Sequence, residues 1–247
     1  MDNLLEFQAS VFCSANHIKP SIERTQQILG LYSDGKEQVL PSICPVNSLD
    51  MPSRKFISLD RIMIVFPESN WKIIALPDRI DCNFKSASED GEFWSYSEYT
   101  SSALQRLSRF ITNENILGNR LALNFKYLLP QMDKEQLRVA TRKFVIPFGE
   151  YKTNDCNELH VHLNTVVKKL VNKRYELVNL VTEIILVRNL NTDNDFRLLV
   201  NMDVNTAPDN TEYRFTASQF SEFADSVKDV IQENLQAIED LIKDEGQ

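Results

Sequence analysis

The stretch Glu158-Leu159-His160-Val161-His162-Leu163 holds two of the three histidines in this 247-residue chain. A spacing of two puts both imidazoles on one face of an extended strand. Neutral imidazole is a good zinc ligand, and such a pair can reach one ion. Cys156 and Glu158 share that face, and Glu183 or Asp203 from a neighbouring strand would have to complete the set. Alternation alone has a simpler cause. An antiparallel sheet with one wet face carries polar residues at every second position. Asn124, Lys126, Arg197 and Asn201 occupy such positions elsewhere and are not ligand-like. The expectation is therefore a polar sheet face that meets a partner, with His160, His162, Arg120, Asn124, Lys126 and Arg197 as its candidate residues. No catalytic set, metal or cofactor is assigned.

Other chemistry is sparse. The six glycines are isolated, so neither GxGxxG nor GxxxxGK[ST] can be written, and no phosphate-cradling loop of either kind is available. No GxSxG elbow, HExxH helix or EF-hand loop occurs. The segment KKLVNKRYELV sets Lys168, Lys169, Lys173 and Arg174 around a turn expected at Asn172-Lys173. It reads as a solvated hairpin tip rather than a nucleic-acid grip, because only Tyr175 offers a stacking surface. In FWSYSEY, the residues Phe93, Trp94, Tyr96 and Tyr99 read as core at a helix start.

Net charge is −8. An acidic chain disfavours nonspecific binding to phosphate backbones and anionic lipid. Cys13, Cys44, Cys82 and Cys156 are scattered, with no CxxC pair, and suggest no disulfide framework or zinc ribbon. The N-terminal MDNLLEFQAS has no basic segment and no long apolar run, so it does not read as a signal peptide. A cytoplasmic protein without a membrane partner is expected.

Periodicity supplies the elements that position these residues. Alternation predicts strands at 4–16, 56–66, 71–76, 79–84, 120–129, 158–170, 175–188 and 196–206. The IMIVF run within 56–66 suggests burial on both faces, and 33–54 reads as loop. Apolar residues three and four apart predict a helix from about Phe93 to Ile111 and another from Phe220 to Ile242, with a capping box at Thr216 and Gln219. Short helices follow Pro20 and Pro130. The fold class is α+β. Two similar units are expected, 1–116 and 117–247, each an antiparallel sheet backed by a long helix, in the manner of a tandem duplication.

The order WKIIALPDRIDCNF, a helix, GNRLALNFKYLLP and a terminal amphipathic helix resembles a sporadically distributed, uncharacterised family of bacterial proteins. Its mid-chain NR-x-x-L strand and apolar-Pro step fall on Asn119, Arg120, Leu123 and Pro130. The resemblance implies no catalytic residues. It implies a bacterial gene of the kind found in toxin–antitoxin or phage-defence loci. Three functions are weighed. The first is a non-enzymatic protein-interaction module that binds another protein, encoded by a neighbouring gene, or forms a homo-oligomer. The second is a chaperone-like adaptor for unfolded segments. The third is a metal-dependent enzyme using His160 and His162.

Overall fold

The computed structural model describes residues 3–33, 37–50, 54–88, 91–93, 95–144, 158–188 and 196–243. Its strands are β1 (Asn3–Phe12), β2 (Leu40–Asp50), β3 (Lys55–Phe66), β4 (Trp71–Ala75), β5 (Arg79–Lys85), β6 (Glu92–Phe93), β7 (Arg120–Leu128), β8 (His160–Val171), β9 (Arg174–Arg188) and β10 (Phe196–Thr206). They form one antiparallel sheet in the order β2-β3-β4-β5-β1-β7-β10-β9-β8, with the two-residue β6 pairing with β1 off this path.

The register explains the alternation of the sequence. One row crosses the sheet through Phe66, Trp71, Phe84, Phe7, Phe125, Met202, Thr182 and Leu163. The row two residues along runs through Ile64, Ile73, Cys82, Ala9, Leu123, Val204, Leu180 and Thr165. Apart from the last residue of each row, on β8, these side chains are buried. Fully burying a residue such as Phe7 or Phe125 stabilises the fold by roughly 1.5–3 kcal/mol.

Helices cover this apolar face. They are α1 (Ile22–Leu31), α2 (Tyr96–Asn113), α3 (Lys134–Phe144) and α4 (Ala217–Lys243). The side chain of Ser21 caps α1 by accepting from the Arg24 backbone N–H at 3.1 Å. Asp133 and Gln136 satisfy each other's backbone N–H groups at the start of α3. The backbone N–H of Thr216 donates to Gln219 Oε1 at 2.8 Å, as expected for the start of α4. α2 lies on β1 and β5, with Tyr99 seated among Phe7, Trp71 and Phe84. α4 lies across β7 and β8, and it touches α2 and α3. The Tyr96 hydroxyl donates to the Ala224 carbonyl at 2.7 Å and ties α2 to α4.

Thus the class is α+β, with an antiparallel sheet and helices. The strands of 1–116 and of 117–247 run on in one sheet through the β1–β7 pair, with a long helix from each half in the same layer. The first half contributes β1 to β6 and the second β7 to β10.

Several local expectations need correction. Residues 40–50 are strand, not loop: β2 pairs with β3 along its length. Its Pro41, Pro45, Ser and Asn residues hide the alternation, because an edge strand tolerates them. The IMIVF run is not buried on both faces. Ile62, Ile64 and Phe66 are buried under the helices, whereas Met63 and Val65 are half-buried on the other side. The long helix starts at Tyr96, after the short β6. Tyr96 and Tyr99 are core-facing, while Trp94 lies outside the described residues. Cys13 and Cys82 are buried free thiols and Cys44 is a half-buried one; Cys156 also lies outside the described residues.

Candidate interaction face

The second face of the sheet carries the even positions of β1 from Glu6 onward and of β4, β7 and β8, and the odd positions of β5, β9 and β10. None of the four helices packs there. Row by row it runs Lys85, Glu6, Lys126, Asn201, Glu183, His162; then Lys72, Asn83, Gln8, Asn124, Asp203, Val181, Asn164; then Ile74, Asp81, Ser10, Ala122, Asn205, Asn179, Val166. Phe12 pairs with both Arg79 and Arg120 at one end. All six candidate residues, His160, His162, Arg120, Asn124, Lys126 and Arg197, project from this face. They are spread across it from β7 to β8 rather than gathered at one point.

Hydrogen bonds organise the face into local groups. At its centre the Ser10 hydroxyl donates to Asp81 Oδ1 at 2.6 Å, and Gln8 Nε2 donates to Ser10 Oγ at 2.8 Å. Arg79 Nε donates to Asp81 Oδ2 at 3.0 Å. The guanidiniums of Arg79 and Arg120 both lie over the Phe12 ring, at 5.7 and 4.6 Å from its centroid. Arg120 also donates to Asn205 Oδ1 at 2.8 Å, and Asn205 Nδ2 donates to Asp203 Oδ1 at 3.1 Å. Lys126 pairs with Glu6 at 2.9 Å. Ser10, Asp81 and Asn205 are almost fully covered by these neighbours. Buried polar groups in hydrogen-bonded sets of this kind fix the positions of their neighbours.

The histidines meet a carboxylate. His162 Nδ1 lies 3.3 Å and His160 Nε2 3.7 Å from Glu183 Oε1. Asn201 Nδ2 donates to Glu183 Oε2 at 2.9 Å. The Asn201 bond first, and the His162 bond second, hold the Glu183 carboxyl below its ordinary range. Both imidazoles remain more than half exposed, at 60% and 55%. Asp203, weighed as a further ligand, turns to Asn205. Among the described residues no group of three or more His, Cys, Asp or Glu side chains is placed to hold a metal ion.

The face has its own charge. Lys72, Arg79, Lys85, Arg120, Lys126, Lys168 and Arg197 stand against Glu6, Asp81, Glu183 and Asp203. Cations therefore outnumber carboxylates there, in a chain whose net charge is −8. Its β8–β9 end is apolar instead, with Val166, Leu170, Tyr175 and Leu177 exposed. The tip beyond them is the turn expected at Asn172-Lys173, where both residues have left-handed backbone (φ 50° and 60°).

A cleft of about 410 Å³ opens at the strand ends beside Arg120. Phe12, Cys13, Asp78, Asn119, Arg120 and Tyr213 are among its lining residues, so the Asn119-Arg120 pair of the mid-chain motif borders it. Burial, with Asp78 and Asp81 adding to it, pushes the Cys13 thiol up to about 12. It is a neutral thiol at physiological pH and a poor nucleophile.

Alternation puts Ser10, Arg79, Asp81 and Asn205 on the polar sides of their strands, but the sequence did not single them out as candidate residues or bring them together. Their even or odd positions were available as a signal, but the pairing of β1 with both β5 and β7 was not. No family model matches the chain, and no curated protein matches it. No described helix is long and apolar enough to cross a membrane.

Proposed function

We propose that the protein is a non-enzymatic interaction module that receives another protein on the open face of its sheet. The supporting observation is the sign of that face, which is cationic on an acidic chain. Complementary potential steers a partner to one surface and disfavours approach to the others. The partner surface is accordingly acidic. The residues that carry recognition are Arg120, Asn124, Lys126, Arg197, His160 and His162. His160 and His162 act as hydrogen-bonding groups oriented by Glu183.

The resemblance to a sporadic bacterial family supports a role beside a neighbouring gene product, in a toxin–antitoxin or phage-defence locus, and the buried free thiols of Cys13 and Cys82 support a cytoplasmic setting. The repeated order of strand, short helix, further strands and long helix supports descent of 1–116 and 117–247 from one duplicated unit. A chaperone-like adaptor is the second reading, and the exposed Val166, Leu170, Tyr175 and Leu177 favour it.

Co-expression with the neighbouring gene product tests the proposal. A stable complex is expected on size-exclusion chromatography. Lys126→Glu/Arg197→Glu should weaken it at least tenfold, with a marked dependence on salt. A complex that tolerates this double reversal, or no complex at all, overturns the reading. Equal binding to unrelated unfolded chains would replace it with the adaptor.

A further inference from the structure

The two edges of the sheet are unlike. β2 closes one edge and carries Pro41 and Pro45. The two prolines are four residues apart and so share one phase; having no N–H to give to β3, they suit the alternate set whose backbone groups point away from it. A proline there cannot donate to an incoming strand. β8 closes the other edge. Its sequence, HVHLNTVVKKLV, has no proline or glycine. Among the described residues no strand pairs with its outer side.

The hydrogen-bond phase of β8 can be read directly. The Leu186 backbone N–H donates to the Leu159 carbonyl at 3.0 Å, and His160 faces Ile185 in the register. Odd-numbered residues of β8 therefore bond inward to β9. The two-residue hairpin agrees, since Val171 and Arg174 form its closing pair. It follows that His160, His162, Asn164, Val166, Lys168 and Leu170 point their N–H and C=O groups off the edge. Leu163, Val166 and Leu170 are more than half exposed, at 57%, 54% and 53%. A long, open, partly apolar edge of this kind is a template for another strand.

We infer that β8 pairs antiparallel with β8 of a second copy, about a two-fold axis at Thr165, joining two sheets into one. Side-chain chemistry selects this register. It sets Leu163 opposite Val167 of the second copy on the helix side, an apolar match. On the open side it sets His162, beside Glu183, opposite Lys168. A shift of two residues that centres the axis on Val166 would place the exposed Leu163 against Lys169, a position that the chosen register gives to the half-buried Val161. An axis at Lys168 would place the two lysines against each other. The chosen register pairs nearly the whole strand and allows up to about twelve main-chain hydrogen bonds. The interface is the edge and not the open face, so it stands or falls separately from the partner proposed above.

Light scattering on the full chain should give twice its 28.5 kDa mass at high micromolar concentration. Asn164→Pro/Val166→Pro removes two outward N–H groups and no bond to β9, and should give the monomer mass with an unchanged circular dichroism spectrum. Thr165→Cys supplies an independent reading. Non-hydrogen-bonded antiparallel partners on an axis have Cα atoms about 4.5 Å apart, close enough for a disulfide. Copper-phenanthroline oxidation should convert Thr165→Cys to a covalent dimer and leave Leu163→Cys uncrosslinked. A monomeric wild type, a dimer that survives the two prolines, or equal crosslinking at 163 and 165 overturns the proposal. If the proline variant fails to fold, the crosslinking contrast decides.

Discussion

Gly118, which precedes the Asn119-Arg120 pair, should be intolerant of even one added methyl group. A Cβ built there would lie 2.6 Å from Val11 Cγ1 and 3.3 Å from the Phe12 carbonyl oxygen. The second contact is with backbone. The first is with a β-branched side chain that is 2% exposed and has little freedom to turn. The surrounding chain is also fixed. The Gly118 N–H donates to the Phe215 carbonyl at 2.8 Å, and its carbonyl accepts from the Arg214 and Phe215 N–H groups. The Asn119 N–H donates to the Phe12 carbonyl at 2.9 Å. Relief by backbone movement would stretch several of these bonds together. Overpacking of this kind costs about 1–3 kcal/mol, so Gly118→Ala should lose about that much in urea unfolding, with an unchanged m-value. A cycle with Val11→Ala isolates the clash. Val11→Ala alone should lose roughly 1.6 kcal/mol, at about 0.8 kcal/mol per buried carbon group, plus a cavity term. The double variant should be more stable than the sum of the singles by about 1 kcal/mol or more, because the new methyl group fills the space that Val11 vacates. Additivity within about 0.5 kcal/mol, or a neutral Gly118→Ala, would refute the reasoning.

Other predictions follow from the same contacts. His160→Ala/His162→Ala should change stability by no more than about 0.5 kcal/mol at neutral pH by urea unfolding, since both rings are largely exposed. The lowered Glu183 pKa stabilises the fold above the unfolded carboxyl value of about 4.3 and ceases to do so as pH falls through the folded value; Glu183→Gln should therefore show a shallower loss of melting temperature below about pH 4. Lys173→Gly should stabilise by roughly 0.5–1 kcal/mol in urea unfolding, because Lys173 has φ 60° and Asn-Gly is the preferred pair for this turn. Arg214 makes a two-bond pair with Glu176, at 3.0 and 2.8 Å, and both side chains are nearly buried; Arg214→Met should cost about 3–5 kcal/mol by strandling the carboxylate, with part regained in Glu176→Met/Arg214→Met.

The strands were legible where burial is one-sided and the edge effects are absent. Phe196–Thr206 alternates with Leu199 as its one break, and β10 has those bounds. β2 was illegible for the reason that makes it a safe edge: its prolines suppress both the strand signal and further pairing. The α4 cap was legible because Thr216 and Gln219 lie within one turn and need no tertiary information. The joining of the halves into one sheet was not legible. It rests on β1 meeting β7 across more than a hundred residues, with Phe7 on Phe125 and Ala9 on Leu123. Either strand alone would equally have suited the edge of a separate sheet.

The same division governs the candidate face. Period-two alternation assigned His160, His162, Arg120, Asn124, Lys126 and Arg197 to a polar side, and all six share it. Alternation says which side a residue takes but not which residue stands beside it. Ser10 and Asp81 are 71 residues apart and hydrogen-bonded; His162 and Glu183 are 21 apart and in contact. Such neighbours depend on strand order, and strand order is decided by core packing on the opposite face. The apolar rows under the helices thus determine which polar groups adjoin, and hence where cations gather on a chain that is acidic as a whole. A register slip in one strand would exchange its two faces, putting Asp81 or Lys126 beneath α2 and α4. The cost of burying those charges unpaired is what holds the polar face in place.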